Sequence, residues 1–282
     1  MTKRNILLLG GTGYFGRHLV NKLLENGDKV CIVTRGINQV SSDCLHINFD
    51  RSKGNHLLLD GYWDVVYDQS CYSSEYLNGL NRVIGNCGQY ILTSSQSVYP
   101  PGKEMSEDSI NYNDVNSYKN IINNYGFEKL KSEYIIRSLT QSHVFPRFPV
   151  VVGENDPRKR IQCLAQKVTM GSLYLPAANP LLHMLDEHDA ATVLFEIPFK
   201  HVIGPVNIAS NEIISAYDLC KKIADIKNLD LTIHESANFE SSPFDLIKSE
   251  SKTLLLKKQN ELGFHDLKSI QEILETILKP VK

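Results

Sequence analysis

Short aliphatic runs alternate with stretches of helical spacing through the first half of the chain. The runs at 6–9, 30–34, 45–48, 65–67, 90–93 and 144–148 read as strands, each apolar on both faces. That pattern suits a parallel sheet covered by helices on both sides. Between the first two runs, residues 14–25 carry apolar side chains at Phe15, Leu19, Leu23 and Leu24, a helical stripe that Asn26-Gly27 ends. Residues 100–116 are polar and turn-rich and are expected to form a surface loop. The composition shifts after Pro149. From there the pattern predicts a helix over 157–171, a turn region over 176–180, and a helix near 187–196. A strand at 205–209 and helices near 213–227 and 266–279 follow. No internal repeat or low-complexity tract is present. The whole reads as an α/β chain of βαβ units with a smaller C-terminal α/β lobe.

Composition narrows the class. The 282 residues suffice for one large domain with a lobe attached, and 42% apolar with 22% charged residues is ordinary for a globular enzyme. A formal net charge of -2 argues against a nucleic-acid-binding surface, so a nucleic-acid partner is not expected. No apolar run approaches the roughly 20 residues of a membrane span. The apolar run at 6–9 is too short for the core of a secretion signal. The six cysteines are scattered without a CxxC pair, which fits free thiols in a reducing compartment, and a cytoplasmic location is expected.

The first run leads directly into Gly10-Gly11-Thr12-Gly13-Tyr14-Phe15-Gly16. Strand, glycine turn and helix start in this order build a doubly wound Rossmann unit. Gly10 permits the tight turn, Gly13 lets the backbone approach a pyrophosphate, and Gly16 lets the helix pack closely on the strand. The helix N-terminus supplies amide donors and the positive end of its dipole, with Thr12, Tyr14 and Phe15 beside the ligand. We therefore read residues 1–150 as an NAD(P)-binding Rossmann domain. Residues 151–282 form a substrate-binding lobe, with 204–209 returning to the main sheet.

The second strand ends in Thr34-Arg35-Gly36, an arginine where an acid would hold a ribose 2'-hydroxyl. A guanidinium pairs bidentately with phosphate, so NADP is favoured, with NAD the alternative. A solvated turn arginine is the plain reading of the same residue. Asp50, just after the third strand, is placed either to reach the adenine edge or to serve as a loop aspartate.

Tyr125 and Lys129 stand four apart, on one helix face. An ammonium beside a phenol stabilises the phenolate, and proton transfer at a substrate oxygen must accompany hydride transfer by a nicotinamide. The spacing recurs at Tyr217 and Lys221, where a surface pair is the simpler reading. Position favours the first match, because about thirty residues earlier the fifth strand ends in Thr93-Ser94-Ser95-Gln96-Ser97-Val98-Tyr99. Strand carboxyl ends are where a doubly wound sheet presents its ligands. His183 and His188 beside Asp186 and Asp189 read as capping and surface residues, so no metal is assigned. Cys71 reads as an ordinary small residue.

Together, the glycine loop, the Ser-Ser-x-x-Val-Tyr stretch at 94–99, and Tyr125-Gly-x-x-Lys129 with Glu133 resemble the extended short-chain dehydrogenase/reductase superfamily of nucleotide-sugar epimerases, dehydratases and reductases. Residues 147–153, 185–191, 204–208 and 262–264 resemble its later segments. The resemblance implies that Ser95 orients the substrate oxygen, Tyr125 is the acid/base, and Lys129 activates it and touches the cofactor. Ser95 is chosen because it lies four residues before Tyr99; Ser94 is the fallback. Phe148, Pro149 and the 172–183 stretch are implied to line the substrate pocket, and a homodimer through a bundle including the Tyr125 helix is implied. The fourth strand departs from that pattern. Its end reads Asp68-Gln69-Ser70-Cys71-Tyr72 where epimerases carry a small, alanine-rich segment, and the C-terminal portion is short. These features look more like an atypical branch containing chloroplast stem-loop RNA-binding proteins. The expected function is therefore an NADP-dependent oxidoreductase or epimerase acting on a nucleotide sugar or a related carbonyl or alcohol. The alternative is a non-catalytic cofactor-binding regulator or RNA-associated protein.

Overall fold

The structure, a computed structural model, describes residues 3–53, 59, 61–241 and 246–279. Its main sheet contains β1 (Asn5–Leu9), β2 (Lys29–Thr34), β3 (Leu45–Asn48), β4 (Trp63–Asp68), β5 (Cys87–Leu92) and β6 (His143–Phe148), with Gly204–Asn207 returning at one edge. The spatial order is the returning strand, β6, β5, β4, β1, β2, β3, and Ser94–Ser95 continues past β5 to pair with β6. Neighbouring strands from β1 through β6 pair in parallel. Five of the six predicted runs lie within strands; the fifth, 90–93, overlaps β5, which starts three residues earlier and ends at Leu92.

Both faces of β1 are dry. Leu7 and Leu9 join Cys31, Val33, Val66, Tyr90, Leu92 and Phe145 in one apolar cluster, whereas Ile6 and Leu8 are equally buried on the other face. The helix α1 (Phe15–Glu25) buries Leu19 and Leu23 of the expected stripe, with Val20 in addition, leaves Phe15 and Leu24 half-buried, and stops where Gly27 takes a positive φ. Helix α2 (Asn81–Gly85) contributes Val83 and Ile84 to the cluster, and α3 (Asn124–Leu139) contributes Ile136. Strand order reverses between β1 and β4, so their carboxyl ends open the crevice in which such sheets bind ligands.

The chain forms two compact units. The first comprises Met1–Pro100, Glu107–Phe148 and Ala191–Val206; the second comprises Pro101–Ser106, Pro149–Ala190 and Asn207–Lys282. The second unit has its own core, to which helices α4 (Arg160–Val168), α6 (Ala216–Ile226) and α7 (Ile270–Leu278) contribute Ile161, Leu164, Val168, Leu219, Ile223 and Ile273. Helix α5 (Glu187–Glu196) begins in the second unit and ends in the first.

The 100–116 stretch is more than the surface loop its composition predicts. Gly102–Met105 is a strand paired with Lys252–Leu254, and 3₁₀ turns follow at Glu107–Ser109 and Tyr112–Asn120. This edge strand is held by backbone bonds to residues some 150 positions away, and none of its side chains is buried, so no apolar alternation marks it. The short strands Ser172–Pro176, Leu181–Leu182 and Thr232–Ser236 likewise escaped the pattern.

Candidate active site

Every residue singled out for cofactor or proton chemistry, Pro149 excepted, lies in the first unit. At the end of β1, Gly10 and Gly11 take φ values of +94° and +95°, and Tyr14 follows at 52°, a region L side chains seldom adopt. A Cβ on Gly11 would overlap the Leu8 side chain, and one on Gly16 would sit 2.6 Å from the Gly11 Cα. The helix therefore touches the turn backbone to backbone. Above Gly13 the nearest atom to an added Cβ is Asn38 Nδ2 at 3.6 Å, which leaves the backbone open to a ligand. No side chain caps the N-terminus of α1; Gly16 N and Arg17 N donate to Gly13 O (3.1 Å) and Tyr14 O (3.3 Å), which winds the glycine turn tightly onto the helix start. These features fit a dinucleotide pyrophosphate. Asn38 donates to Thr12 Oγ1 (3.4 Å), and the Phe15 ring meets Phe148 edge-on at 6.1 Å.

At the end of β2, Thr34 Oγ1 accepts from Gly36 N (3.3 Å) and bonds His46 Nε2 (2.9 Å), which fixes the turn carrying the exposed Arg35. The Asp50 carboxylate accepts from the hydroxyl and amide of Ser52. Those bonds, aided by the fields of Lys53 and Arg35, hold its carboxyl below the usual range. Arg35 and Asp50 thus lie close enough to share one electrostatic environment.

The floor of the cradle is where the sequence departs from an alanine-rich segment. Asp68, fully buried at the end of β4, receives Arg51 Nη1 and Nη2 (2.7 and 2.9 Å), Tyr90 OH (2.8 Å) and Ser70 N (3.2 Å). Burial alone would push the Asp68 carboxyl up, but the Arg51 guanidinium outweighs it and holds the group below the ordinary range. Arg51 follows β3 and reaches the end of β4 across the two intervening strands. It also donates to Ser70 Oγ (3.2 Å), and Ser70 Cβ stands 3.0 Å from where a Gly10 Cβ would be. Sequence reading missed Arg51; its adjacency to Asp50 after a strand was the only available signal.

The proton-transfer candidates gather at the carboxyl end of β5. Asn123 caps α3 through Gly126 N (2.8 Å), which sets Tyr125 in its first turn. Gly126 packs on the 96–98 turn so closely that a Cβ would overlap the Ser97 carbonyl. Lys129 is buried and donates to Thr93 O (2.8 Å), and its ammonium lies 5.9 Å from the centre of the Tyr125 ring. Tyr125 itself is 42% exposed. Ser95 is partly exposed and accepts from Ser97 N (3.1 Å). Ser94 is buried and donates to Glu133 Oε1, which leaves Ser95 the more accessible hydroxyl.

Glu133 anchors the assembly. Fully buried, it takes Arg147 in a bidentate pair (3.1 and 2.7 Å) and the Tyr112 hydroxyl (2.6 Å), while Arg147 also donates to Tyr99 OH (2.6 Å). Each charged group is paired and hydrogen-bonded, the condition for keeping charge in a dry interior. Cys71 is fully buried; burial pushes its thiol up to about 11, and it donates to Ser132, so it is no nucleophile at neutral pH.

The remaining candidates serve structure in the second unit. His183 Nδ1 accepts from Leu254 N (3.0 Å), and Asp186 caps the start of α5 through His188 N and pairs with Lys268 (2.9 Å). Tyr217 packs its ring against the second core.

Comparison with known proteins agrees with this architecture. Residues 6–60 match the sequence model of the NAD dependent epimerase/dehydratase family. UDP-glucose 4-epimerase from Thermotoga maritima, solved with UDP-glucose, superposes with a TM-score of 0.71 at 16% identity, covering 97% of both chains. dTDP-glucose 4,6-dehydratase from Bacillus anthracis, solved with NAD, gives 0.72 at 13% identity over 97% of this chain and 95% of that one. UDP-N-acetylglucosamine 4-epimerase from Methanobrevibacter ruminantium gives 0.71 at 16% identity, over 99% and 98%. The chain thus has the fold of the extended short-chain dehydrogenases, as its motifs implied. Among curated proteins, the chloroplast stem-loop binding protein of 41 kDa b from Arabidopsis thaliana is 29% identical over 117 residues, 35% of this chain and 31% of that protein. The match therefore spans about a third of that relative's length. Among the described residues, no helix is long and apolar enough to cross a membrane.

Proposed function

We propose that this chain is an NADP-dependent oxidoreductase or epimerase of the extended short-chain dehydrogenase type, acting on a nucleotide sugar or a related carbonyl or alcohol. The observation that carries the reading is Lys129, buried, tied to Thr93 O at the end of β5, and set beside an exposed Tyr125. An ammonium desolvated at that place with no carboxylate in ion-pair contact can stabilise a phenolate that exchanges a proton with substrate. Ser95 holds the substrate oxygen, Tyr125 gives it a proton or takes one, and Lys129 supports the phenolate. With its pyrophosphate held by the glycine cradle, a nicotinamide dinucleotide would supply the matching hydride transfer. Glu133 and Arg147 keep α3 and the strand ends in register without touching the substrate.

The exposed Arg35, with no acid at the end of β2, favours NADP. An exchanging NADP suits net reduction better than an epimerase cycle that retains its cofactor. The assay is nicotinamide absorbance with NADPH and a panel of keto-sugar nucleotides, beside Tyr125→Phe. Turnover in the wild type, and a loss of about a hundredfold or more in the variant, is expected. No turnover with any candidate, with equal cofactor affinity in both proteins, would sink the enzymatic reading. The short match to a stem-loop binding protein keeps a cofactor-binding, RNA-associated protein as the second reading, and RNA retention by the same preparation would then support it. For cofactor choice, wild type should bind NADP more tightly than NAD, and Arg35→Ala should lose the preference. Equal binding in wild type refutes the role of Arg35. We further propose that the protein works as a homodimer through a bundle including α3, which sedimentation checks.

A further inference from the structure

We infer that Tyr72 is a positioning residue of this site, whose ring holds the Lys129 ammonium in place beside Tyr125. The inference rests on reading Lys129 as part of the reacting centre. An ammonium has three donors, and Thr93 O takes one of those of Lys129 at 2.8 Å. Among the described residues, no carboxylate forms an ion pair with it. The buried Asp68 carboxylate lies within its field, and two aromatic rings stand over it, Tyr72 at 5.6 Å and Tyr125 at 5.9 Å from ammonium to ring centre. Both distances lie within the range in which a ring quadrupole attracts a cation, and the attraction grows as the cation loses water.

Tyr72 is brought there by design of the segment that carries it. On one side Cys71 donates to Ser132 Oγ of α3 (3.4 Å). On the other, Glu128 of α3 receives Ser73 Oγ (3.3 Å), Ser74 N (2.8 Å) and Ser74 Oγ (2.8 Å). Glu128 is the residue directly before Lys129, so the helix that carries the lysine also clamps the turn that carries the tyrosine. Yet Tyr72 is 60% exposed, and packing alone gives an anchored but uncovered ring no reason to stay over that spot. The cation supplies one. Two rings and one carbonyl together confine an ammonium that would otherwise reach toward water.

The test is a double-mutant cycle on the full chain, reading NADPH dissociation by the cofactor's own fluorescence. Tyr72→Leu fills space without a π-face and should weaken binding about three- to tenfold; Tyr72→Phe keeps the face and should restore affinity to within about twofold. In the Lys129→Ala background, Tyr72→Leu should add nothing. Independent, additive losses would overturn the inference, as would equal behaviour of Leu and Phe. If no protein binds NADPH, the functional reading fails, and a second measurement still decides the role of Tyr72. Reductive dimethylation of Lys129, followed by peptide mass spectrometry, should be slow in wild type and Tyr72→Phe and about threefold or more faster in Tyr72→Leu. Equal labelling in all three refutes it.

Discussion

Replacing Asp68 by Asn tests whether the floor beneath the glycine cradle is a polar structure in its own right. The carboxylate is fully buried and accepts four hydrogen bonds, two of them from a guanidinium whose side chain is 8% exposed. Asparagine offers one oxygen and turns an amide donor toward Arg51, so at least one charge-assisted bond is lost and the cation loses its counter-ion. A charged hydrogen bond contributes about 1.5–3 kcal/mol, and breaking a buried pair from one side costs about 3–5 kcal/mol. A loss of about 3 kcal/mol or more in the first unit is expected. Because leaving the cation unpaired causes most of the loss, Arg51→Met combined with Asp68→Leu should recover at least half of it. Trp63, the chain's single tryptophan, lies in β4, so its fluorescence during urea unfolding reports on the first unit alone. The midpoint should move with an unchanged slope. A loss below about 1 kcal/mol, or a double variant less stable than the single, would refute the reasoning.

Two further outcomes follow from geometry and charge. Gly16→Ala places a methyl 2.6 Å from the Gly11 Cα, so cofactor affinity should fall at least about tenfold and stability by about 1–3 kcal/mol, measured by titration and urea melts; wild-type affinity would refute the close packing. His183 is neutral in the folded state, because burial lowers its ring to about 4 from 6.5. Its folded value is the depressed one, so its stabilising effect is complete above pH 6.5 and is lost as pH falls toward 4. The loss is about 1.4 kcal/mol per pH unit within that window, roughly 2 kcal/mol by pH 5. His183→Gln should flatten that part of the stability curve, and an unchanged slope would exclude the histidine as its source.

Much of the first unit was legible because its signals are local. Strand hydrophobicity, the helical stripe of α1 and the glycine turn each depend on neighbours within a few residues. Tyr125 and Lys129 share a helix face, so their proximity also followed from spacing. The Arg51–Asp68 tie was not legible, because it joins residues 17 apart whose strands are separated by two others in the sheet. Tyr72 was hidden for a related reason. It approaches Lys129 only because Glu128 and Ser132 draw its turn onto α3, and nothing near Tyr72 in sequence announces those partners. Gly102–Met105 failed for want of an apolar face: backbone bonding to a distant strand leaves no trace in composition.

The returning strand has a consequence for how the protein is made. Gly204–Asn207 lies beyond β6 at the edge of the main sheet, while most of the chain between them, Pro149–Ala190, belongs to the second unit. A ribosome therefore completes the cradle, Tyr125 and Lys129 well before it delivers the strand that covers β6. Until then β6 presents an open row of backbone donors and acceptors, the kind of edge that pairs with other chains. Synthesis of the intervening residues sets how long that exposure lasts, at about 5–20 residues per second. Completion of the main sheet is thus timed by translation of the segment inserted between β6 and the returning strand.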